Sequence, residues 1–403
     1  MDSQNKTFDF DTLYDRHGSH SYKWDSKPIQ EDPTLLPLFV ADMDFQTAPA
    51  VRDALVNLAK TGIYGYTFVW PEYFEAVQHW MKTRHHMDIE TDWIVPYPGI
   101  VPAIKHAVRL YTKPGDEILI FKPVYYPFDS SIKDNGRTLV EFELTQKNGE
   151  YSIDFEALDT FLSISQVKMI IFCSPHNPIG KVWSLEELQK LGALAKKHNL
   201  FVVSDEIHMD FTWKNKPFIS FLEACPDLHA QSIVATAPSK TFNLAGLDAS
   251  NVLIPDESLR TAWKKEMEHA GINSPNMFGL YATEAAYLHG AEWLDALLEY
   301  IDQNYTFMKD WFEKKMPIVK FRKPEGLYLA WADFRGLGMD KDELENFMLK
   351  KAHVWLDEGY IFGTGGEGFE RFNCACPRSI LEDALERILK AWNEKQQEEK
   401  LEK

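Results

Sequence analysis

Residues 169–172, 201–203 and 233–235 are apolar, largely β-branched or aromatic runs, and each gives way at once to a polar cluster. The clusters are Ser174-Pro175-His176-Asn177-Pro178-Ile179-Gly180, Ser204-Asp205-Glu206-Ile207-His208 and Ala237-Pro238-Ser239-Lys240-Thr241-Phe242-Asn243. Runs of that length and composition read as buried strands. Open α/β sheets bind ligands at the carboxyl ends of their strands. An amide, a carboxylate and an amine are therefore expected on one edge of one sheet.

The rest of the chain is consistent with such a sheet. Strand and helix patterns alternate from about Trp93 to Ile254, which predicts an α/β fold with a mainly parallel central sheet flanked by helices. Pro49 and Pro71 suit the first turns of helices reaching about Lys60 and His86. Ser184-Leu185-Glu186-Glu187 is a capping box for a helix ending near His198. Beyond about Gly290 the pattern changes to aromatic, charged helices, a strand expected over Gly326-Leu327-Tyr328-Leu329-Ala330-Trp331, another at Phe369-Glu370-Arg371-Phe372-Asn373, and a last helix from Ser379. The first forty-odd residues lack an α/β pattern and are expected to pack with this part. That predicts a large domain over residues 48–289 and a smaller α+β domain built from residues 1–47 and 290–403.

With 43 Lys and Arg against 61 Asp and Glu, the net charge is −18, which disfavours nucleic acid or an anionic membrane as a partner. The opening Met1-Asp2-Ser3-Gln4-Asn5-Lys6 has no apolar signal-peptide core, and no run is long enough to cross a bilayer, so a cytoplasmic protein is expected. Four cysteines (Cys173, Cys225, Cys374, Cys376) in 403 residues read as buried, inert thiols, not a disulfide framework or metal site. His85-His86 reads as the polar end of a helix. Gly363-Thr364-Gly365-Gly366-Glu367-Gly368 matches a dinucleotide fingerprint by letter, but a strand pattern follows it, so a loop is expected.

An acid and a lysine at neighbouring strand ends are the set a pyridoxal phosphate (PLP) site requires. The lysine forms a Schiff base, and the acid keeps the pyridine nitrogen protonated. Lys240 and Asp205 take those roles, and Asn177 is placed to donate to the ring's phenolic oxygen. Pro98-Gly99-Ile100-Val101 opens a helix whose free N–H groups would cradle a phosphate. Tyr125 follows a strand over residues 118–121 and is either a stacking partner for the ring or core packing. Arg371 either grips a carboxylate in two-pronged fashion or sits in a surface ion pair.

These segments resemble the fold-type I PLP enzymes, the aspartate aminotransferase superfamily, over nearly the whole chain. The likeness is narrower to the MalY/PatB-type carbon–sulfur lyases, carried by Val40-Ala41-Asp42-Met43-Asp44-Phe45, Tyr64-Gly65-Tyr66, Ser204-Asp205-Glu206-Ile207-His208-Met209-Asp210 and Arg371-Phe372-Asn373-Cys374-Ala375-Cys376-Pro377-Arg378. The resemblance implies that Lys240 carries the cofactor, Asp205 pairs its ring nitrogen, and Asn177 bonds its phenolic oxygen. It implies that Tyr125 stacks on the ring and that the Ile100 and Val101 amides and Ser239 hold phosphate. It further implies that Tyr66 reaches the site of a neighbouring subunit in a homodimer, and that Arg371 binds the substrate's α-carboxylate.

Departures from the aminotransferase pattern are informative. His208 stands where a tyrosine is usual, Asp248 where a phosphate-binding arginine is usual, and Ala237 where a serine is frequent. These fit the lyase-like group, so β-elimination of cystathionine or related S-substituted cysteines to thiol, pyruvate and ammonia is expected, with Lys240 as base. An amino-acid aminotransferase is the alternative reading, and a regulatory binding protein on the same fold is a third.

Overall fold

A computed structural model describes residues 8–401. Residues 1–6, read above for a signal peptide, and the final two of the charged tail lie outside the described residues. The expected middle strands form β1 (Ile94–Tyr97), β2 (Glu117–Lys122), β3 (Thr138–Glu143), β4 (Val167–Cys173), β5 (Phe201–Asp205), β6 (Ser232–Thr236) and β7 (Ser250–Leu253). They make a seven-stranded sheet in the order β1-β7-β6-β5-β4-β2-β3. β7 runs antiparallel to both neighbours, and the other pairings are parallel.

Alternation along each strand serves two cores. Ile118 and Ile120 join one, with Ile104 and Trp263, whereas Leu119 and Phe121 join the other, with Leu188 and Leu280. Burial on both faces is why these strands read as continuous apolar runs. The flanking helices include α1 (Pro49–Lys60), α2 (Pro71–His85), α3 (Ile100–Tyr111), α4 (Leu185–Lys197), α5 (Pro238–Thr241), α6 (Glu257–His269) and α7 (Met277–His289). α1 and α2 begin on their prolines, and both halves of the Ser184–Glu187 capping box form.

The C-terminal part places α8 (Ala291–Lys315) and α9 (Arg378–Leu401) beside an antiparallel sheet of β8 (Lys320–Phe321), β9 (Leu329–Asp333), β10 (Asp357–Glu358) and β11 (Phe369–Asn373). The first of these two expected strands starts later than the sequence suggests. Leu327 has φ +72° and its N–H bonds Phe211 O at 2.9 Å, so the chain crosses the 211 loop before joining the sheet. The N-terminal residues do pack here: Leu36–Pro37 pairs in parallel with Val354–Trp355, and Phe10 lies against Trp293 and Tyr300. On this packing we propose domain boundaries near residues 48 and 290.

All four cysteines are free and buried, and burial pushes the Cys374 thiol well above its ordinary value, as suits inert thiols. The glycine-rich run at 363–368 is a loop leading into β11. No helix among the described residues is long and apolar enough to cross a membrane.

His85 is at the end of a helix, as expected, with a partner that the sequence does not show. It ends α2, but its ring is buried and pairs with Asp210 at 2.7 Å. The helix terminus faces protein at that position, not water.

Candidate active site

A cavity of about 310 Å³ opens at the carboxyl ends of β4, β5 and β6. A cleft of about 1130 Å³ elsewhere, between residues 146–152 and 317–325, is larger but holds none of the predicted set. Chemistry, not size, selects the site.

Asp205 is the last residue of β5, in register with Cys173 of β4 and Ala235 of β6. One carboxylate oxygen accepts the Ile207 N–H at 3.1 Å, and the other has no hydrogen-bond partner among the described residues. Burial pushes its pKa up to about 7, against the opposing pull of that N–H and of the Lys240 charge. A cation beside the free oxygen would reverse that shift.

Lys240 sits in α5, one turn of helix held open by Pro238 just past β6. Its Nζ donates to Ala41 O at 2.7 Å. Burial lowers its pKa to about 8, helped by the Arg371 charge and opposed by Asp42 and Asp205. An amine with that pKa is a usable nucleophile and base near neutrality.

Asn177 lies in the loop after β4, where its O accepts the Tyr125 N–H at 3.1 Å. Its Oδ1 accepts from Arg371 Nη1 at 3.1 Å. That bond fixes which way the amide faces and leaves the Nδ2 donors free. Tyr125 lines the cavity, and burial raises its phenol above the ordinary range. His208 is buried on another wall with Nδ1 unpartnered, and burial drives its pKa well down, so the ring is neutral.

Gly99 takes φ +97° as the N-cap of α3, and no side chain caps that end. The first-turn N–H groups of Ile100 and Val101 consequently lack helical acceptors. Pro102 has no N–H to offer. Ser239 lines the same cavity.

Arg371, on β11, settles between its two expectations. It is ion-paired with Asp357, but the pair is buried and not at the surface, and Arg371 lines the cavity. Its Nη2 also donates to Phe39 O at 2.7 Å. Tyr66 is the one predicted residue that does not reach the cavity of its own chain; it is fully exposed, in a band with Ile63, Tyr64 and Phe68.

Residues missed by sequence reasoning supply much of the frame. The stretch 39–45 presents a row of backbone acceptors: Phe39 O to Arg371, Val40 O and Asp42 O to Asn373, Ala41 O to Lys240 and Tyr328, and Met43 O and Phe45 O to Asn243. Only the Val40–Phe45 string hinted at this, and nothing local marked Asp357.

The donors fit PLP. A half-satisfied buried carboxylate would face the ring nitrogen, a free amide would face the phenolic oxygen, and an uncapped helix end would face the phosphate. Lys240 lines the same cavity.

Comparison with known proteins agrees. The chain matches the family "Aminotransferase class I and II" over residues 33–388. It is 42% identical to cystathionine β-lyase PatB of Bacillus subtilis over 94% of this chain and 98% of that protein. It is 33% identical to MalY of Escherichia coli over 95% and 98% of the two chains. The crystal structure of cystalysin from Treponema denticola, which contains pyridoxal 5'-phosphate, superposes with a TM-score of 0.93 at 42% identity, covering 96% of this chain and 99% of that one. The chain belongs to the aminotransferase class I and II family of fold-type I PLP-dependent enzymes, in its PatB/MalY group.

Proposed function

We infer that this chain is a PLP-dependent carbon–sulfur β-lyase, cleaving cystathionine or a related S-substituted L-cysteine to a thiol, pyruvate and ammonia. The observation that carries this is the joint lining of one cavity by Lys240, Asp205, Asn177 and Arg371, in a chain 42% identical to a cystathionine β-lyase over almost its full length.

When bound, PLP supplies an electron sink for the charge left on the substrate's α-carbon. The chain's residues do the rest. Arg371 binds the α-carboxylate and fixes the substrate's orientation, with Asn177 setting the guanidinium's position. Lys240 would hold the cofactor, and its amine is the general base for the α-proton. The same amine then has a proton to deliver to the departing sulfur. Asp205 would hold the proton of the ring nitrogen through its unpartnered oxygen, and Asn177 would have Nδ2 to offer the phenolic oxygen. Ile100, Val101 and Ser239 would hold the phosphate and Tyr125 would pack against the ring, with neutral His208 as a polar wall of the same cavity. Asp248 also lines this cavity, where an aminotransferase would usually offer arginine, which favours the lyase over transamination.

The active unit in this reading is a homodimer. The exposed band Ile63, Tyr64, Tyr66 and Phe68 is the surface through which Tyr66 enters the partner's site. A cytoplasmic setting accords with the four buried free thiols and the net charge of −18.

The test is incubation with cystathionine and no keto acid. Pyruvate and free thiol in equal amounts are expected; turnover that requires an added keto acid would instead assign the chain as an aminotransferase.

A further inference from the structure

Arg371 is over-committed for a residue that must hold a substrate. A guanidinium has five N–H donors in a planar fork: one on Nε and two on each terminal nitrogen. Of the Nη2 pair, one donor goes to Phe39 O at 2.7 Å and the other to Asp357. Nη1 gives one donor to Asn177 Oδ1 at 3.1 Å. Nε is buried with no partner.

A carboxylate can take two parallel bonds from the Nη1–Nη2 edge or from the Nε–Nη2 edge. Both edges use Nη2, and Nη2 has nothing left to give. A substrate carboxylate must therefore dislodge either the Phe39 carbonyl or the Asp357 side chain before it docks in two-pronged fashion.

The two occupants are not equally replaceable. The Phe39 carbonyl is fixed backbone. Its ring stacks on Trp355 at 3.8 Å and 14°, Leu38 N bonds Trp355 O at 2.8 Å, and Asn373 N bonds Leu38 O at 2.9 Å. Asp357 is a side chain with two rotatable bonds, on β10, a two-residue edge strand. β10 meets β11 through two cross-strand pairs, Asp357 with Arg371 and Glu358 with Glu370, and the second sets two carboxyl groups side by side. Asp357 also carries the same functional group as the ligand, so its displacement exchanges like for like on the arginine.

We propose that Asp357 is a built-in competitor of substrate: it caps Arg371 in the free enzyme, and the α-carboxylate binds by displacing it. Asp357 thereby sets the affinity for amino-acid substrates. The idea rests on Arg371 being the carboxylate anchor.

The holoenzyme is assayed for KM and kcat with cystathionine, and for competitive inhibition by 3-(methylthio)propanoate, a carboxylate with no amine to react. Asp357→Asn keeps the shape but weakens the grip on Arg371. KM and the inhibitor constant are expected to fall about tenfold, the loss of one charge-assisted contact from the competitor. The change is expected in KM more than in kcat. Asp357→Ser, smaller and also uncharged, serves if the first variant folds poorly and is expected to shift both constants the same way. Unchanged or higher constants in the folded variants overturn the proposal and make Asp357 a residue that positions Arg371. Arg371→Met separates the two ideas: if it moves neither KM nor the inhibitor constant, the anchor itself lies elsewhere.

Discussion

Thr241 Oγ1, one residue after Lys240, donates to Asp210 Oδ2 at 2.6 Å, and Asp210 lies five residues past Asp205 in the loop leaving β5. The other oxygen of Asp210 accepts from Trp80 Nε1 at 3.1 Å and pairs with His85 Nε2 at 2.7 Å. The two segments bearing the principal acid and amine are thus tied by one buried carboxylate. Asp210→Ala is expected to lose about 3–5 kcal/mol, the usual result of stripping one partner from a buried ion pair. Thr241→Val should lose only about 1–3 kcal/mol, for an unmet hydrogen bond. Denaturant unfolding of the apoprotein measures both, and equal losses would show that Thr241 is the only partner that matters.

In the apoprotein, the Lys240 amine should become reactive toward an acylating reagent with a midpoint near pH 8, well below an ordinary lysine. Arg371→Met removes a neighbouring positive charge, so the midpoint should rise. Mass-spectrometric mapping of the labelled lysine against pH gives the value. A midpoint that stays put in the variant would mean the two side chains are electrically independent.

Glu206 follows Asp205 and is buried, with Oε1 bonded to Ser204 and the Phe221 N–H and Oε2 unpartnered. Burial raises its pKa to about 8. The folded protein thus keeps a proton that the unfolded chain releases from about pH 4.5 upward. Stability from this group is full at low pH and falls as pH rises to about 8. Glu206→Gln should match the wild type at pH 5 and exceed it by a few kcal/mol at pH 9. Parallel stability curves for the two proteins across that range would contradict the assignment.

Hybrid dimers test the shared site. Lys240→Ala and Tyr66→Ala subunits are each expected to be nearly inactive alone. When they are refolded together in equal amounts, half the dimers should be mixed and one site in each should be intact, restoring roughly a quarter of wild-type activity. No recovery, with mixed dimers confirmed by native mass spectrometry, would place Tyr66 outside the partner's site.

The site was legible in the sequence wherever its chemistry lay next to a secondary-structure signal. Asp205 and Lys240 follow apolar strands, and Ile100 and Val101 follow a glycine at a helix start. Legibility failed wherever a role is made by contact between distant positions. Asp357 meets Arg371 only because β10 and β11 pair, and the acidic residue breaks no local pattern. His85 read correctly as a helix end, but its pairing with Asp210, 125 positions away, leaves no mark around it. The late start of β9 came from the left-handed backbone at Leu327, a residue with no preference for that conformation.

The row of carbonyls at 39–42 bears on biosynthesis. Phe39, Val40 and Asp42 are made more than three hundred residues before Arg371 and Asn373, the side chains that bond their carbonyls. During synthesis those carbonyls are left to water while more than three hundred further residues emerge. A nascent sheet can form meanwhile, but the wall of the cavity that holds Arg371 is assembled only after β11 has emerged and met the 39–42 stretch.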